Sequence, residues 1–139
     1  MICALMMGRA GSKGFPGKNL KKVLGRRLFE YPLIACKHSK YVDKIFVSTD
    51  CPIITRESKK YGAIIIKRPK SLATNAALGE KVYEHGYFEI KKMLNKNSKK
   101  KVRYVCGCFY HDVKLLDIKF INRDFKDKKV KAVYSDKAT

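Results

Sequence analysis

The chain has 139 residues, of which 45% are hydrophobic and 11% aromatic, and its formal net charge at pH 7 is +20. This length and composition predict one globular domain with a real core and exclude a disordered chain. No apolar run approaches the ~20 residues that a membrane helix needs, and no signal peptide is recognisable. We therefore expect a cytoplasmic protein without a membrane partner.

The positive charge admits nucleic acid and phosphorylated small molecules as partners. The 32 Lys and Arg residues are spread along the whole chain, with clusters at residues 95–103 and 126–131. No aromatic residues interleave the first cluster, as a stacking platform for bases requires. We therefore favour solvated lysine-rich loops and keep a basic nucleic-acid-binding module as the weaker alternative.

The five cysteines are odd in number, and without an export signal they are expected to be free thiols. A metal site built from Cys106, Cys108 and His111 is geometrically admissible, because alternate positions on a strand point the same way. However, no second close pair of Cys or His completes four ligands. The sequence thus identifies no metal ligands, and buried small side chains are favoured.

The first predicted elements alternate between strands and helices. The apolar run at 2–7 is typical of a strand buried on both faces. A helix at 29–40 and a strand at 44–48 follow. A second helix has Pro52 in its first turn and ends at Gly62, a residue suited to the left-handed end of a helix.

The second part of the chain continues the alternation. Its predicted elements are a strand at 63–66, an irregular stretch to residue 78, a helix at about 79–95, a strand at 102–108, a helix at 113–125 and a short strand at 130–134. This order predicts an α/β fold with a mostly parallel sheet and helices on both faces, in a single domain over 1–139. The loops "GRAGSKGFPGKN", "STD" and "KRP" then leave three strands at one edge, where ligands bind in such sheets.

The glycine-rich stretch suits a phosphate, because glycines let backbone N–H groups point inward and let an anion approach closely. It is not a Walker loop, since Ser12 stands where the first Gly belongs and Asn19 follows Gly17-Lys18. It is not the dinucleotide pattern either, because its glycines are spaced by three. The alternative is a mobile surface loop, lysine-rich like the rest of the chain.

The stretches "GRAGSKGFPGKNL", "VSTD" and "RPKSLATNAALGE" resemble the successive signatures of the acylneuraminate cytidylyltransferases, the CMP-sialic acid synthetases. The chain is also similar to the synthetases for 3-deoxy-manno-octulosonate, and the resemblance extends from residue 1 to about 87. It implies a Rossmann-like nucleotidyltransferase fold. It also implies transfer of CMP from CTP to an acidic, nonulosonate-like sugar, with release of pyrophosphate and with Mg²⁺.

The resemblance assigns catalytic roles to Lys18 and Arg9. The nucleotide-binding residues that it implies are Gly11, Ser12, Lys13, Asn19, Arg68, Asn75 and Ala77. In this assignment Lys18 stabilises charge on the phosphorus under attack. The residues alone leave other interpretations open: Asn19 as a ligand of loop backbone, Arg68 as a surface side chain, and Asp50 as a helix-start group rather than a ligand.

Three departures from the family pattern set further expectations. Asn75 stands where the family usually has Asp, and residues 106–110 do not reproduce the polar, proline-containing segment that contacts the sugar acid. The chain also ends before the family's paired-Asp metal site. We therefore expect a truncated member, with an inactive nucleotide-binding remnant or half of a split enzyme as the alternative, and a homodimer or a complementing partner chain.

Overall fold

The computed structural model describes residues 1–11, 16–74, 76–77, 79–95 and 104–108. Its strands are β1 (Ile2–Gly8), β2 (Lys22–Val23), β3 (Arg26–Arg27), β4 (Lys44–Thr49), β5 (Ile64–Lys67) and β6 (Tyr104–Cys108). Its helices are α1 (Glu30–His38), α2 (Pro52–Lys59) and α3 (Gly79–Asn95), with short 3-10 helices at Lys18–Leu20 and Lys70–Leu72. The helix and strand predicted at 113–125 and 130–134 lie outside the described residues.

Four of the strands form one parallel sheet in the order β5-β4-β1-β6. Strand β1 pairs with β4 from Cys3 opposite Lys44 to Gly8 opposite Thr49, and with β6 on its other side. Parallel neighbours need crossover connections, which the helices supply. The predicted parallel sheet is therefore confirmed.

Alternate side chains of β1 enter two separate cores. Ala4 and Met6 pack in one cluster with Leu33 of α1 and Ile54 of α2. Leu5 packs in the other, whose further members are Cys3, Phe46, Ile66, Ile90 and Leu94, the last two from α3. Helices thus cover both faces of the sheet, which explains why β1 is apolar along its whole length.

Helix α3 lies unusually close to β1. A Cβ atom built on Gly86 would be 2.5 Å from Cδ2 of Leu5, closer than such atoms can pack. Glycine at this helical position therefore reflects packing rather than backbone conformation.

Several predicted boundaries shift by one to three residues. Helix α1 ends at His38, two residues earlier than predicted, and α2 ends at Lys59 before a turn that Gly62 closes with a φ of +77°. Strand β6 covers Tyr104–Cys108, and the first two residues of the predicted strand, 102 and 103, lie outside the described residues. The prediction for α3, residues 79–95, is confirmed.

A short β-hairpin, β2–β3, is absent from the sequence-based prediction. Its two turn residues, Leu24 and Gly25, have φ values of +48° and +81°. Asn or Gly is preferred at the first of these positions, whereas Leu incurs a steric cost there. Leu24 is also 93% exposed. The strands contain two residues each and the turn lacks its usual residues, so the sequence carries no hairpin signal.

Glu30 at the start of α1 holds this hairpin in place. Its Oε2 accepts the backbone N–H of Arg27 at 2.7 Å, and its Oε1 accepts the hydroxyl of Tyr61 at 2.8 Å. Burial, followed by this bond to Glu30, raises the pKa of Tyr61. The hydroxyl therefore stays protonated and keeps donating.

Glu57 of α2 ties the hairpin to the domain. It is 7% exposed, and its carboxylate is 2.7 Å from Nζ of Lys60, 2.8 Å from Nε of Arg56 and 3.6 Å from Nη1 of Arg27. The hydrogen bonds from Lys60 and then Arg56 lower the pKa of Glu57 to about 2. The carboxylate thus remains charged at all ordinary pH values.

Among the described residues, Cys3, Cys36 and Cys51 are buried thiols that form no disulfide bond, as expected. The side chains of Cys106 and Cys108, and the whole of His111, lie outside the described residues. Within the described ranges no three His, Cys, Asp or Glu side chains are grouped as metal ligands. None of the helices seen there is long and apolar enough to cross a membrane.

Candidate functional site

The three loops predicted to converge do so at the carboxyl edge of the sheet. Gly8 at the end of β1 lies opposite Thr49 at the end of β4, which lies opposite Lys67 at the end of β5. The residues that follow directly after β1, β4 and β5 are Arg9, Asp50 and Arg68, in that order. This edge is where open parallel sheets bind ligands, so the prediction of a shared rim is confirmed.

A cleft of about 300 Å³ opens at this rim, a volume at the lower end for small-molecule sites. Its lining residues are Met7, Arg9, Lys18, Asn19, Arg68, Leu72, Thr74, Ala77, Gly79 and Val82. Half of these carry predicted roles. Gly11 is exposed and is not among the lining residues, and Ser12, Lys13 and Asn75 lie outside the described residues.

Arg68 is held firmly in the cleft wall. Its side chain donates from Nη2 to the carbonyl oxygen of Ser48 at 2.8 Å and from Nε to Ser48 Oγ at 3.4 Å. The residue is only 7% exposed. The alternative of a surface side chain is therefore wrong. A buried guanidinium bonded to backbone is a fixed positive charge rather than a mobile one.

Arg9 links the glycine-rich loop to the opposite wall of the cleft. Its Nη1 donates to the carbonyl oxygen of Thr74 at 2.9 Å. Its own carbonyl oxygen accepts Nδ2 of Asn19 at 3.0 Å. Asn19 thus bonds loop backbone, which was one of its two predicted roles. Together these bonds join the beginning and end of the glycine-rich loop to the segment after β5.

Lys18 reaches the cleft because of the turn before it. Gly17 has a φ of +68°, a left-handed conformation that glycine adopts without strain, and its carbonyl oxygen accepts the N–H of Leu20 at 2.9 Å. These contacts form the 3-10 turn Lys18–Leu20. The side chain is half-buried against the cleft, beside Asn19.

Asp50 makes a contact that the sequence does not predict. The sequence places it at the start of α2, but the N-cap is Cys51, whose N–H is accepted by Thr49 Oγ1 at 3.0 Å. Asp50 Oδ1 instead accepts the backbone N–H of Ala10 at 3.0 Å. This contact lies between loops far apart in sequence, so only the pairing of β1 with β4 reveals it.

The electrostatics of the cleft suit an anion. Arg9, Lys18 and Arg68 supply three positive charges, and none of the lining residues that the structure describes is acidic. The N-terminus of α3, at Gly79, adds the partial positive charge of a helix end. Leu72 and Val82 give the cleft an apolar wall. An anion with an attached flat, partly apolar group fits this combination.

The described part of the chain has the fold of the nucleotidyltransferases. The chain superimposes with a TM-score of 0.67 on a CMP:2-keto-3-deoxy-manno-octonic acid synthetase solved with CTP. That likeness covers 91% of this chain and 47% of the synthetase chain, at 15% sequence identity, and so concerns the fold alone.

The particular family follows from sequence. The cytidylyltransferase family profile matches residues 3–131, and the chain therefore belongs to the cytidylyltransferase family. It is 37% identical over 76 residues to the N-acylneuraminate cytidylyltransferase of Oncorhynchus mykiss, covering 55% of this chain and 18% of that protein. It is 36% identical over 77 residues to the CMP-N,N'-diacetyllegionaminic acid synthase of Legionella pneumophila, covering 55% of this chain and 33% of that protein. The chain thus spans at most about a third of these curated relatives.

Proposed function

We propose that the cleft binds CTP in the cytoplasm, for transfer of CMP to an acidic, nonulosonate-like sugar. The observation that carries the proposal is the convergence of Arg9, Lys18 and Arg68 on a cleft whose described lining residues include no acid. A triphosphate needs this excess of positive charge. Membership of the cytidylyltransferase family supports CTP as the nucleotide.

In the proposed reaction, a sugar hydroxyl oxygen attacks the α-phosphorus of CTP. A bond between that oxygen and phosphorus forms, the bond to the bridging oxygen of the β-phosphate breaks, and pyrophosphate leaves while the hydroxyl proton passes to solvent. Arg9 and Lys18 act as the catalytic cations, and Lys18 stabilises the charge that develops at the α-phosphate. The remaining proposed nucleotide ligands are Gly11, Ser12, Lys13, Asn19, Arg68, Asn75 and Ala77.

The described cleft does not itself fit Mg²⁺. Divalent magnesium prefers oxygen ligands, usually carboxylates and phosphates, and no carboxylate lines the cleft. The ion that the family implies would instead arrive on the phosphates of CTP, and the proposed roles of Arg9 and Lys18 do not depend on it. This feature favours a second candidate function, nucleotide binding without turnover. If the chain is instead half of a split enzyme, a complementing partner chain supplies the acceptor side.

Calorimetric titration tests the proposal directly. CTP, ATP and GTP are titrated with Mg²⁺ at two salt concentrations into wild type, Lys18→Ala and Lys22→Ala. We expect wild type to prefer CTP and Lys18→Ala to bind it about 10- to 100-fold more weakly, the range for a lost bond to a charged group. Lys22→Ala removes the same charge from the exposed hairpin, outside the cleft lining, and should have little effect.

Two results would separate the remaining possibilities. Equal, salt-sensitive binding of all three nucleotides would contradict a CTP site and leave the basic nucleic-acid-binding alternative. Selective CTP binding without pyrophosphate release over a panel of sugar acids would favour binding without turnover.

A further inference from the structure

Two aspartates clamp the opposite ends of the central strand in the same way. At the amino end of β1, Asp43 Oδ2 accepts the N–H of Ile2 at 2.6 Å. At the carboxyl end, Asp50 Oδ1 accepts the N–H of Ala10 at 3.0 Å. The two aspartates flank β4, the neighbour of β1, one on either side. Each carboxylate therefore bonds backbone just beyond, or at the end of, the adjacent strand.

Only one of these two hydrogen bonds, Asp50 to Ala10, lies at the edge of the sheet that carries the cleft. Ala10 follows Arg9, whose guanidinium lines the cleft and bonds Thr74 and whose carbonyl oxygen is bonded by Asn19. The clamp on Ala10 is thus the third contact on a dipeptide from which the rest of the glycine-rich loop departs. Asp43 and Ile2 lie at the other end of the strand pair, away from the cleft lining.

The negative charge of Asp50 bears on whether this residue contacts the nucleotide directly. A carboxylate beside a cleft for a triphosphate repels that ligand and lowers its affinity. The repulsion grows as the distance shortens and is weakened by salt. Asp50 also occupies the Ala10 N–H, which is then not available to a phosphate oxygen. A role for Asp50 in direct ligand contact is therefore disfavoured. The benefit of the residue lies in fixing the loop backbone.

We propose that Asp50 is a positioning residue for the start of the glycine-rich loop: by holding the backbone N–H of Ala10, it sets the neighbouring Arg9 for CTP. This inference rests on the proposed function of the cleft. It assigns no contact between Asp50 and the nucleotide. Because the hydrogen bond is exposed, its expected effect is moderate rather than complete loss of binding.

Three variants test the positioning role: Asp50→Ala, Asp50→Asn and Asp43→Ala. CTP affinity is measured by calorimetry, global stability by thermal unfolding, and the loop itself by hydrogen exchange of a peptide covering residues 7–11. We expect Asp50→Ala to weaken CTP binding about 3- to 10-fold and to speed exchange at Ala10. Asp50→Asn keeps an acceptor oxygen and removes the repelling charge, so Ala10 should exchange as in wild type and CTP should bind at least as tightly. Asp43→Ala loses the matched clamp, so it should lower the melting temperature without changing CTP affinity.

The outcomes separate this inference from the proposed function. If Asp50→Ala changes neither loop exchange nor CTP affinity more than Asp43→Ala does, the positioning role is overturned. The same holds if Asp50→Asn behaves like Asp50→Ala, since charge rather than the hydrogen bond would then matter. Failure of wild type to bind CTP would contradict the proposed function, while the exchange measurement would still decide whether Asp50 holds the loop.

Discussion

The centre of the sheet and the rim of the cleft are stabilised by different interactions. In the centre, Leu5 and Phe46 are fully buried among apolar side chains, and the strands are joined by backbone hydrogen bonds. At the rim, charged or polar side chains bond backbone groups, as Arg9 does with Thr74 and Arg68 with Ser48. Because the two regions depend on different forces, changes in one should affect stability and changes in the other ligand binding.

The largest stability loss is expected in the centre. Phe46→Ala removes a fully buried ring from the cluster under α3 and should lower the free energy of unfolding by about 3–5 kcal/mol. Urea denaturation monitored by circular dichroism measures this change. Phe88→Ala, at a 58% exposed site on α3, is the control and should change stability far less. Equal losses in the two variants would show that the cluster is not the main core.

Packing of α3 against β1 gives the next largest effect. Gly86→Ala places a methyl group against Leu5 and should cost about 1–3 kcal/mol of unfolding free energy, the usual range for overpacking. Gly79→Ala adds the same group at the start of α3, where no described residue beyond its chain neighbours and the backbone of α3 itself lies within 4 Å, and should be neutral or slightly stabilising. Thermal unfolding of both variants measures the difference. A stabilising Gly86→Ala would mean that Leu5 moves aside easily.

Acid titration of Glu57 separates the stability contributed by its ion pairs, including the one with Arg27 of the hairpin, from the stability contributed by the apolar core. Its folded pKa of about 2 lies below the ordinary 4.5, so the charged form stabilises the fold above about pH 4.5, and this contribution disappears as pH falls toward 2. Glu57→Gln should therefore destabilise the protein at pH 7 and differ progressively less from wild type below pH 4.5. Urea unfolding at several pH values measures this convergence. A pH-independent difference would assign the effect to packing.

A matched substitution of Glu84 controls for general loss of surface charge. Glu84 makes an exposed pair with Lys81 at 3.3 Å on α3, and such pairs contribute little. Glu84→Gln should have a stability close to wild type over the same pH range. A loss of stability as large as that of Glu57→Gln would contradict a special role for the carboxylate of Glu57 and the three cations around it, Arg27, Arg56 and Lys60.

The smallest expected change is a gain at the hairpin turn. Leu24→Asn replaces a residue strained at a φ of +48° with one that tolerates this conformation, and should stabilise the fold by about 1 kcal/mol. Leu24→Ala shortens the exposed side chain but keeps the strain, so it should give no comparable gain. Thermal melts compare the two. A gain in both would mean that exposure of Leu24, rather than its backbone, is costly.

The sequence predicted the regular parts of the molecule better than its local contacts. The boundaries of α3 follow from hydrophobic periodicity, which packing enforces over many residues, and the parallel sheet follows from the alternation of strands and helices. The hairpin was missed because two-residue strands have no period and Leu24 is not a usual turn residue. The burial of Arg68 and the contact of Asp50 depend on which strands lie side by side. Neither property is encoded in the residues nearby.

The hairpin offers a practical route to observing the cleft. Its tip is exposed at Leu24, while its base is fixed by the N–H of Leu28 donating to Lys21 at 3.0 Å and the N–H of Phe29 donating to Asn19 at 3.2 Å. Lengthening the tip would relieve the strained turn without disturbing these anchors. A short peptide tag or fluorescent reporter inserted between residues 24 and 25 would then be carried by the same segment that presents Lys18 and Asn19. Such a reporter could record ligand occupancy while every residue lining the cleft stays unchanged.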